Sequence, residues 1–311
     1  MKSKKNISFL VCSNGYGHFK RCLQVAECIS PQFNINFICN ESLVNFARKE
    51  ANFIHTTSIN FISNYSFNEF SWIDENQITW ERYMAWKKTL ESSTELINSH
   101  LVVSDNHTLP GCLFSNVIFM GSFLWHDSTI STNKQVIEIK EHEKFILSTK
   151  AFSLLCVGDM VMPSLSDQVC ILKQGWFTSR IEISKRSSSI KKVLITGGGT
   201  EITNNKLLEL ILQLHKLDSR QFFYLDKKLY ASASKYSTDF KLFNFTEEEF
   251  ISLDIIVGRP GIGILTDCVR YSIPCIVLND SFNLEIKHNT IRVNELGIGR
   301  GFDIKDSGVF E

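Results

Sequence analysis

The sequence has no excess of charge of either sign: Lys and Arg together number 33, and so do Asp and Glu. That balance supplies no broad basic field for nucleic acid or an anionic membrane, so no nucleic-acid partner is expected. No apolar stretch approaches the ~20 residues that a bilayer-spanning helix needs. The apolar run near the N-terminus, Ile7 to Cys12, is short for a secretion signal and is followed by no small-residue cleavage site. A soluble, cytoplasmic chain is expected, with peripheral membrane contact left open. There is no CxxC and no cluster of Cys and His at metal-ligand spacing, so no zinc site is expected. The nine cysteines are odd in number, and several fall inside apolar runs, which reads as reduced, buried thiols rather than a disulfide framework. Neither GxGxxG nor GxxxxGK[ST] occurs, which speaks against a nicotinamide enzyme or a P-loop NTPase.

What is present is a series of short, unbroken apolar runs: Ile7–Cys12, Ile35–Cys39, Leu101–Ser104, Val117–Met120, Leu154–Val157, Val193–Thr196, Phe222–Leu225, Ile255–Val257 and Cys275–Leu278. Runs that do not alternate predict strands buried on both faces. Helical patterns lie between them. Phe19, Cys22, Leu23, Ala26 and Ile29 share one helical face, and Asn205–Leu217 has an Asn start and a basic end. Alternating strands and helices imply parallel sheets covered by helices. With 311 residues, two domains are expected. The Ser-rich, basic stretch "SKRSSSIKK" at 184–192 marks the join, giving domains 1–185 and 186–311.

Each half opens with a strand, a glycine-bearing turn and a helix. The turns are Asn14-Gly15-Tyr16-Gly17-His18 and Gly197-Gly198-Gly199-Thr200. Glycines let backbone N–H groups approach a ligand, and a helix N-terminus beyond them favours an anion; a tight turn alone would also want glycine. A third element, "LDIIVGRPGIGILTDCVRYSIPCIVLND" at 253–280, runs from a strand through Gly258-Arg259-Pro260-Gly261-Ile262-Gly263 into a helix carrying Asp267. N–H groups at Gly261–Gly263 can face phosphates while Asp267 accepts from ribose hydroxyls; the alternative is that Asp267 is a solvated helix residue. A fourth, residues 283–303, reads as a helix ending at Gly297 with Glu285, His288 and Asn289 near its start. His18 is either a proton-transfer group or a turn residue. Arg21 either reaches an anion or lies on a solvated face. Asp105 and His107 are read as an ordinary loop after a strand, with a base role as the other possibility. The aromatic segment 61–86, with Trp72, Trp80 and Trp86, reads as core, with sugar stacking on the acceptor side as its alternative.

Taken in order, these stretches resemble the GT-B glycosyltransferases, in particular the peptidoglycan UDP-N-acetylglucosaminyltransferases. Gly15-Tyr16-Gly17-His18-Phe19-Lys20-Arg21-Cys22 resembles the GxGHxxRC motif of the pseudaminic-acid-pathway UDP-sugar hydrolases. "VGRPGIGILTD" is similar to the donor-binding segment of the glycosyltransferases, and "KHNT" with "ELGIG" to the stretch that follows it. "LVVSDN" and "FLWHD" are similar to segments of their N-terminal domain. The resemblance implies an α/β fold of two doubly wound Rossmann-like domains facing across a cleft, the first on the acceptor side and the second binding a nucleotide sugar. It implies that His18 is the catalytic residue. Gly15, Gly17, Gly198, Gly199, Thr200, Arg259, Gly261, Ile262 and Gly263 would lie against the donor, with Asp267 on the ribose. Phe245 would hold the base through its backbone, and Glu285 and Asn289 would lie on the donor side.

Two departures stand out. Glu285-Ile286 replaces a pair of Gln that would contact the sugar, and Asp267 replaces a Glu. No Asp-x-Asp is present, so neither a metal nor another cofactor is expected. Three activities stay open: inverting transfer from a nucleotide-diphosphate donor, by resemblance UDP-linked, to an unknown sugar, lipid-linked or small-molecule acceptor; hydrolysis of such a donor; and binding without turnover.

Overall fold

The computed structural model describes residues 4–49, 59–63, 70–72, 74–178, 180–181, 189–197, 201–217, 222–279 and 283–303, with backbone only at 46–49 and 201–203. The chain divides into two compact units, Met1–Phe177 and Thr178–Glu311. The expected linker lies largely outside the described residues.

Unit 1 carries a seven-stranded sheet built from β1 (Asn6–Leu10), β2 (Asn34–Ile38), β3 (Ile59–Ile62), β4 (Leu101–Asp105), β5 (Val117–Met120), β6 (Ser153–Val157) and β7 (Cys170–Gln174). Their order is β3-β2-β1-β4-β5-β6-β7, and every pairing is parallel. The apolar runs are unbroken because both faces of the sheet are covered. Ile7, Phe9 and Val11 pack with Phe19, Cys22 and Phe37 on one face, while Leu10 and Cys12 pack with Trp86, Phe119 and Phe123 on the other. Burial of each such Phe is worth roughly 1.5–3 kcal/mol. Trp72 and Trp86 belong to this core and Trp80 packs against it, so these three tryptophans of the aromatic segment serve packing.

Unit 2 carries a six-stranded parallel sheet of β8 (Lys192–Thr196), β9 (Phe222–Leu225), β10 (Lys241–Leu242), β11 (Ile255–Gly258), β12 (Cys275–Asn279) and β13 (Gly299–Asp303). The order β10-β9-β8-β11-β12-β13 repeats the pattern of the first sheet. Two details differ from the sequence reading. The helix expected from Asn205 begins at Glu201. Cys28, Cys112 and Cys170 are exposed; the other six cysteines are buried, and all nine are free thiols.

In each sheet the chain leaves the first strand to one side and returns on the other. In unit 1 this reversal lies between β1 and β4, in unit 2 between β8 and β11. Adjacent connections there run to opposite faces of the sheet, which opens a crevice at the carboxyl ends of the two strands.

Candidate active site

The turn after β1 enters the Tyr16–Ile29 helix through Gly15, whose φ of 139° is unfavourable for any residue with a Cβ. Gly17 lies in the first turn of that helix and His18 follows it. Asp105 is the last residue of β4. The β1–β4 reversal therefore brings His18 to Asp105: Nδ1 of His18 lies 2.9 Å from Oδ2 of Asp105. A carboxylate only accepts, so Nδ1 carries a proton, and in the neutral imidazole the lone pair is on Nε2. The His18 side chain is 16% exposed, whereas Asp105 is fully buried.

Arg21, one helical turn beyond His18 and on the same side of the helix, is buried in an ion pair with Oδ1 of Asp105. The backbone N–H of Cys12 donates to Oδ2 at 3.2 Å. Burial alone would push the Asp105 carboxyl up. The Arg21 guanidinium and His18, by charge and hydrogen bonding, outweigh burial and hold it well below the usual carboxylate range. Asp105 is thus a fixed anion, not the loop residue the sequence reading preferred, and Arg21 does not lie on a solvated face. His107 is also buried, with its ring edge-on to Trp86 at 4.8 Å. The signal that could have found Asp105 is the polar pair Asp105-Asn106 closing a buried strand at its carboxyl end, where doubly wound sheets bind ligands.

Aromatic rings wall the imidazole. Trp125 stacks on His18 at 6.3 Å between centroids and 23° between planes, and Phe123 meets it edge-on at 6.3 Å. Cys12, His18 and Asp105 also form a set of three ligand-type atoms within 4.8 Å of one another. Arg21 already supplies the positive charge at that carboxylate, so a cation there would meet a resident guanidinium.

In unit 2 the turn after β8 runs into Gly198, Gly199 and Thr200, which lie outside the described residues. The turn after β11 is described. Arg259 is half-buried and its N–H donates to the Thr196 carbonyl at 3.3 Å, tying the ends of β11 and β8 together. Gly261 caps the Ile262–Arg270 helix without a side-chain cap, so the first N–H groups of that helix, Ile262 and Gly263 among them, have no side-chain acceptor from the cap. Asp267 is 6% exposed, which removes the solvated reading.

Asn289 is fully buried and its Nδ2 donates to the Pro260 carbonyl at 2.9 Å and to Glu285 at 3.2 Å. The Leu284–Glu295 helix is thereby braced against the turn, and Asn289 Oδ1 has no partner among the described residues. Ile286 is fully buried in the core, while Glu285 is 7% exposed. Phe245 adopts a left-handed backbone at φ 60°, rare for an aromatic residue, with its ring on Phe243 and Phe250.

No family model and no curated protein matches the chain. Solved structures do. The chain is similar to the kitacinnamycin glycosyltransferase at 14% identity and a TM-score of 0.59, over 98% of this chain and 87% of that one. It is similar to the glycosyltransferase VinC in complex with dTDP at 12% identity and a TM-score of 0.56, over 97% and 87%. It is also similar to TcCGT1 in complex with UDP at 12% identity and a TM-score of 0.62, over 96% and 86%. Two parallel sheets, each reversing beside its first strand, and a likeness spanning nearly the whole chain give this protein the fold of the GT-B glycosyltransferases.

Proposed function

We propose that this protein transfers a sugar from a nucleotide-diphosphate donor to an acceptor hydroxyl, with inversion at the anomeric carbon and without a metal. The observation that carries this reading is the His18–Asp105 pair at the carboxyl ends of β1 and β4. His18 Nε2 takes the proton of the acceptor hydroxyl as its oxygen attacks the anomeric carbon. The bond to the diphosphate breaks and the nucleoside diphosphate leaves with the electron pair. Asp105 selects the tautomer of the neutral imidazole by holding the proton on Nδ1, and it stabilises the imidazolium that forms.

On the donor side, N–H groups at the start of the Ile262–Arg270 helix, with Gly198, Gly199, Thr200 and Arg259, stabilise the diphosphate. Asp267 holds the ribose, and the left-handed backbone at Phe245 presents its peptide groups to the base. Glu285 and Asn289 take sugar hydroxyls. Gly15 and Gly17 leave room for the donor beside His18. The dTDP and UDP held by VinC and TcCGT1 support a nucleoside diphosphate as the leaving group, and UDP is the one we favour. The acceptor is a sugar, a lipid-linked group or a small molecule.

A second reading, hydrolysis of the nucleotide sugar, is favoured by one observation. Arg21 of the Gly-x-Gly-His-x-x-Arg-Cys stretch is part of the charged group at His18, so the His and Arg of the motif meet at Asp105. One experiment separates these readings. The protein is incubated with UDP-, dTDP-, GDP- and CDP-sugars, with and without an acceptor panel, and nucleotide release is followed. Diphosphate released only with an acceptor supports transfer, and release in water alone supports hydrolysis. Tight binding with no turnover in any arm sinks both and leaves a nucleotide-sugar-binding protein.

A further inference from the structure

We propose that Asn106 is a positioning residue that reserves one oxygen of Asp105 for His18. The inference rests on the reading of His18 and Asp105 as the reactive pair. Asn106 is fully buried and left-handed, with φ at 61°, a conformation Asn tolerates better than other residues with a Cβ. All four of its polar atoms are engaged. Its N–H donates to the Met120 carbonyl at 2.9 Å, and its carbonyl accepts from the Trp125 N–H at 3.2 Å. Its side-chain Oδ1 accepts from Arg21 Nη2 at 2.7 Å, and Nδ2 donates to the Phe123 carbonyl at 2.7 Å. The room for this amide is made by Gly121, where a Cβ would lie 2.5 Å from Asn106 Oδ1.

Arginine prefers to take both oxygens of a carboxylate in a parallel fork. Among the described residues, Arg21 bonds Asp105 through Oδ1, and the same nitrogen is shared with the Asn106 amide. Oδ2 is left to His18 Nδ1 and to the Cys12 N–H. The competition is close, since Arg21 Nη2 stands only 3.2 Å from His18 Nδ1. Without the amide the guanidinium turns onto both oxygens and displaces the imidazole. The same amide also fixes the turn that carries Phe123 and Trp125, the rings against which His18 lies. One residue therefore sets both the hydrogen-bond partner and the plane of the imidazole.

The test is proton NMR of the full-length protein. A His18 Nδ1–H bonded to a buried carboxylate gives a low-field resonance, identified by its loss in His18→Ala. Asn106→Gly keeps the left-handed backbone and removes only the amide. The expected result is loss of that resonance in Asn106→Gly, with far-UV circular dichroism and the remaining amide spectrum unchanged. Asn106→Asp loses the donor to the Phe123 carbonyl but retains an acceptor for Arg21, the contact on which the Nδ1–H bond depends, and is expected to keep the resonance, which provides a second reading should the glycine variant not fold. A resonance that persists in Asn106→Gly, or that vanishes in a folded Asn106→Asp, overturns the proposal. Absence of the resonance from the wild-type protein instead removes the His18–Asp105 pairing on which it rests.

Discussion

His18 and Asp105 are 87 positions apart in sequence, yet the imidazole Nδ1 and a carboxylate oxygen lie 2.9 Å apart. The reversal between β1 and β4 makes this contact, and the Arg21 guanidinium keeps the buried Asp105 carboxylate ionised. Several consequences can be measured.

Removing the proton acceptor is the most direct. His18→Ala is expected to lower nucleotide-sugar turnover by about 10²–10⁴-fold, the usual worth of a general base. Asp105→Asn is expected to lower it as well, because an amide can present its NH₂ to Nδ1 and stabilise the wrong tautomer. Full turnover in a folded His18→Ala protein sinks the assignment.

Acid stability follows from the lowered Asp105 carboxyl. A group whose folded pKa is depressed stabilises the fold above its unfolded pKa, about 3.9 for Asp. That contribution is lost as pH falls from there through the lower folded value. Urea unfolding between about pH 5 and pH 2 is expected to show a shallower loss of stability in Asp105→Asn than in the wild type, since the unfolded Asp no longer takes up a proton. Identical slopes count against the ion pair.

Nucleotide binding tests the second unit. Asp267→Ala is expected to weaken affinity for the nucleoside diphosphate by about tenfold or more, the worth of a hydrogen bond to a charged group. Isothermal titration calorimetry gives the value, and unchanged affinity removes the ribose role.

A second buried pair bears on stability alone. His126 Nδ1 lies 3.3 Å from Glu143 Oε2 with both side chains fully buried, and the Tyr83 hydroxyl donates to Glu143 Oε1 at 3.4 Å. Glu143→Ala is expected to cost about 1–3 kcal/mol in urea unfolding, because the buried Tyr83 hydroxyl loses its Glu143 acceptor. Glu143→Gln, which keeps an acceptor oxygen, is expected to cost less.

Thiol labelling checks the packing. Cys28, Cys112 and Cys170 are expected to react in the native protein, and all nine thiols in denaturant. Cys112 is expected to be slowest of the three, because partial burial pushes its thiol up and lowers its thiolate fraction.

The sequence by itself determined the interior of both sheets. All nine apolar runs are strands, and the four strands without such a run, β3, β7, β10 and β13, are the four sheet edges. An interior strand of a helix-covered sheet must be apolar on both faces, so its signal is local and continuous. β7, β10 and β13 are largely exposed, and no such run marks them. The turns at Gly15 and Gly261 and the helices that follow them were equally legible, as was Gly297 as a helix stop. Only the tertiary structure decided strand order, and with it which side chain faces His18. Asp105, Arg21 and Asn106 look local in sequence: a strand end, a helix face and a turn. Their roles arise because burial forces each polar group to find a partner, and the partner within reach is set by a crossover that no short window of residues records.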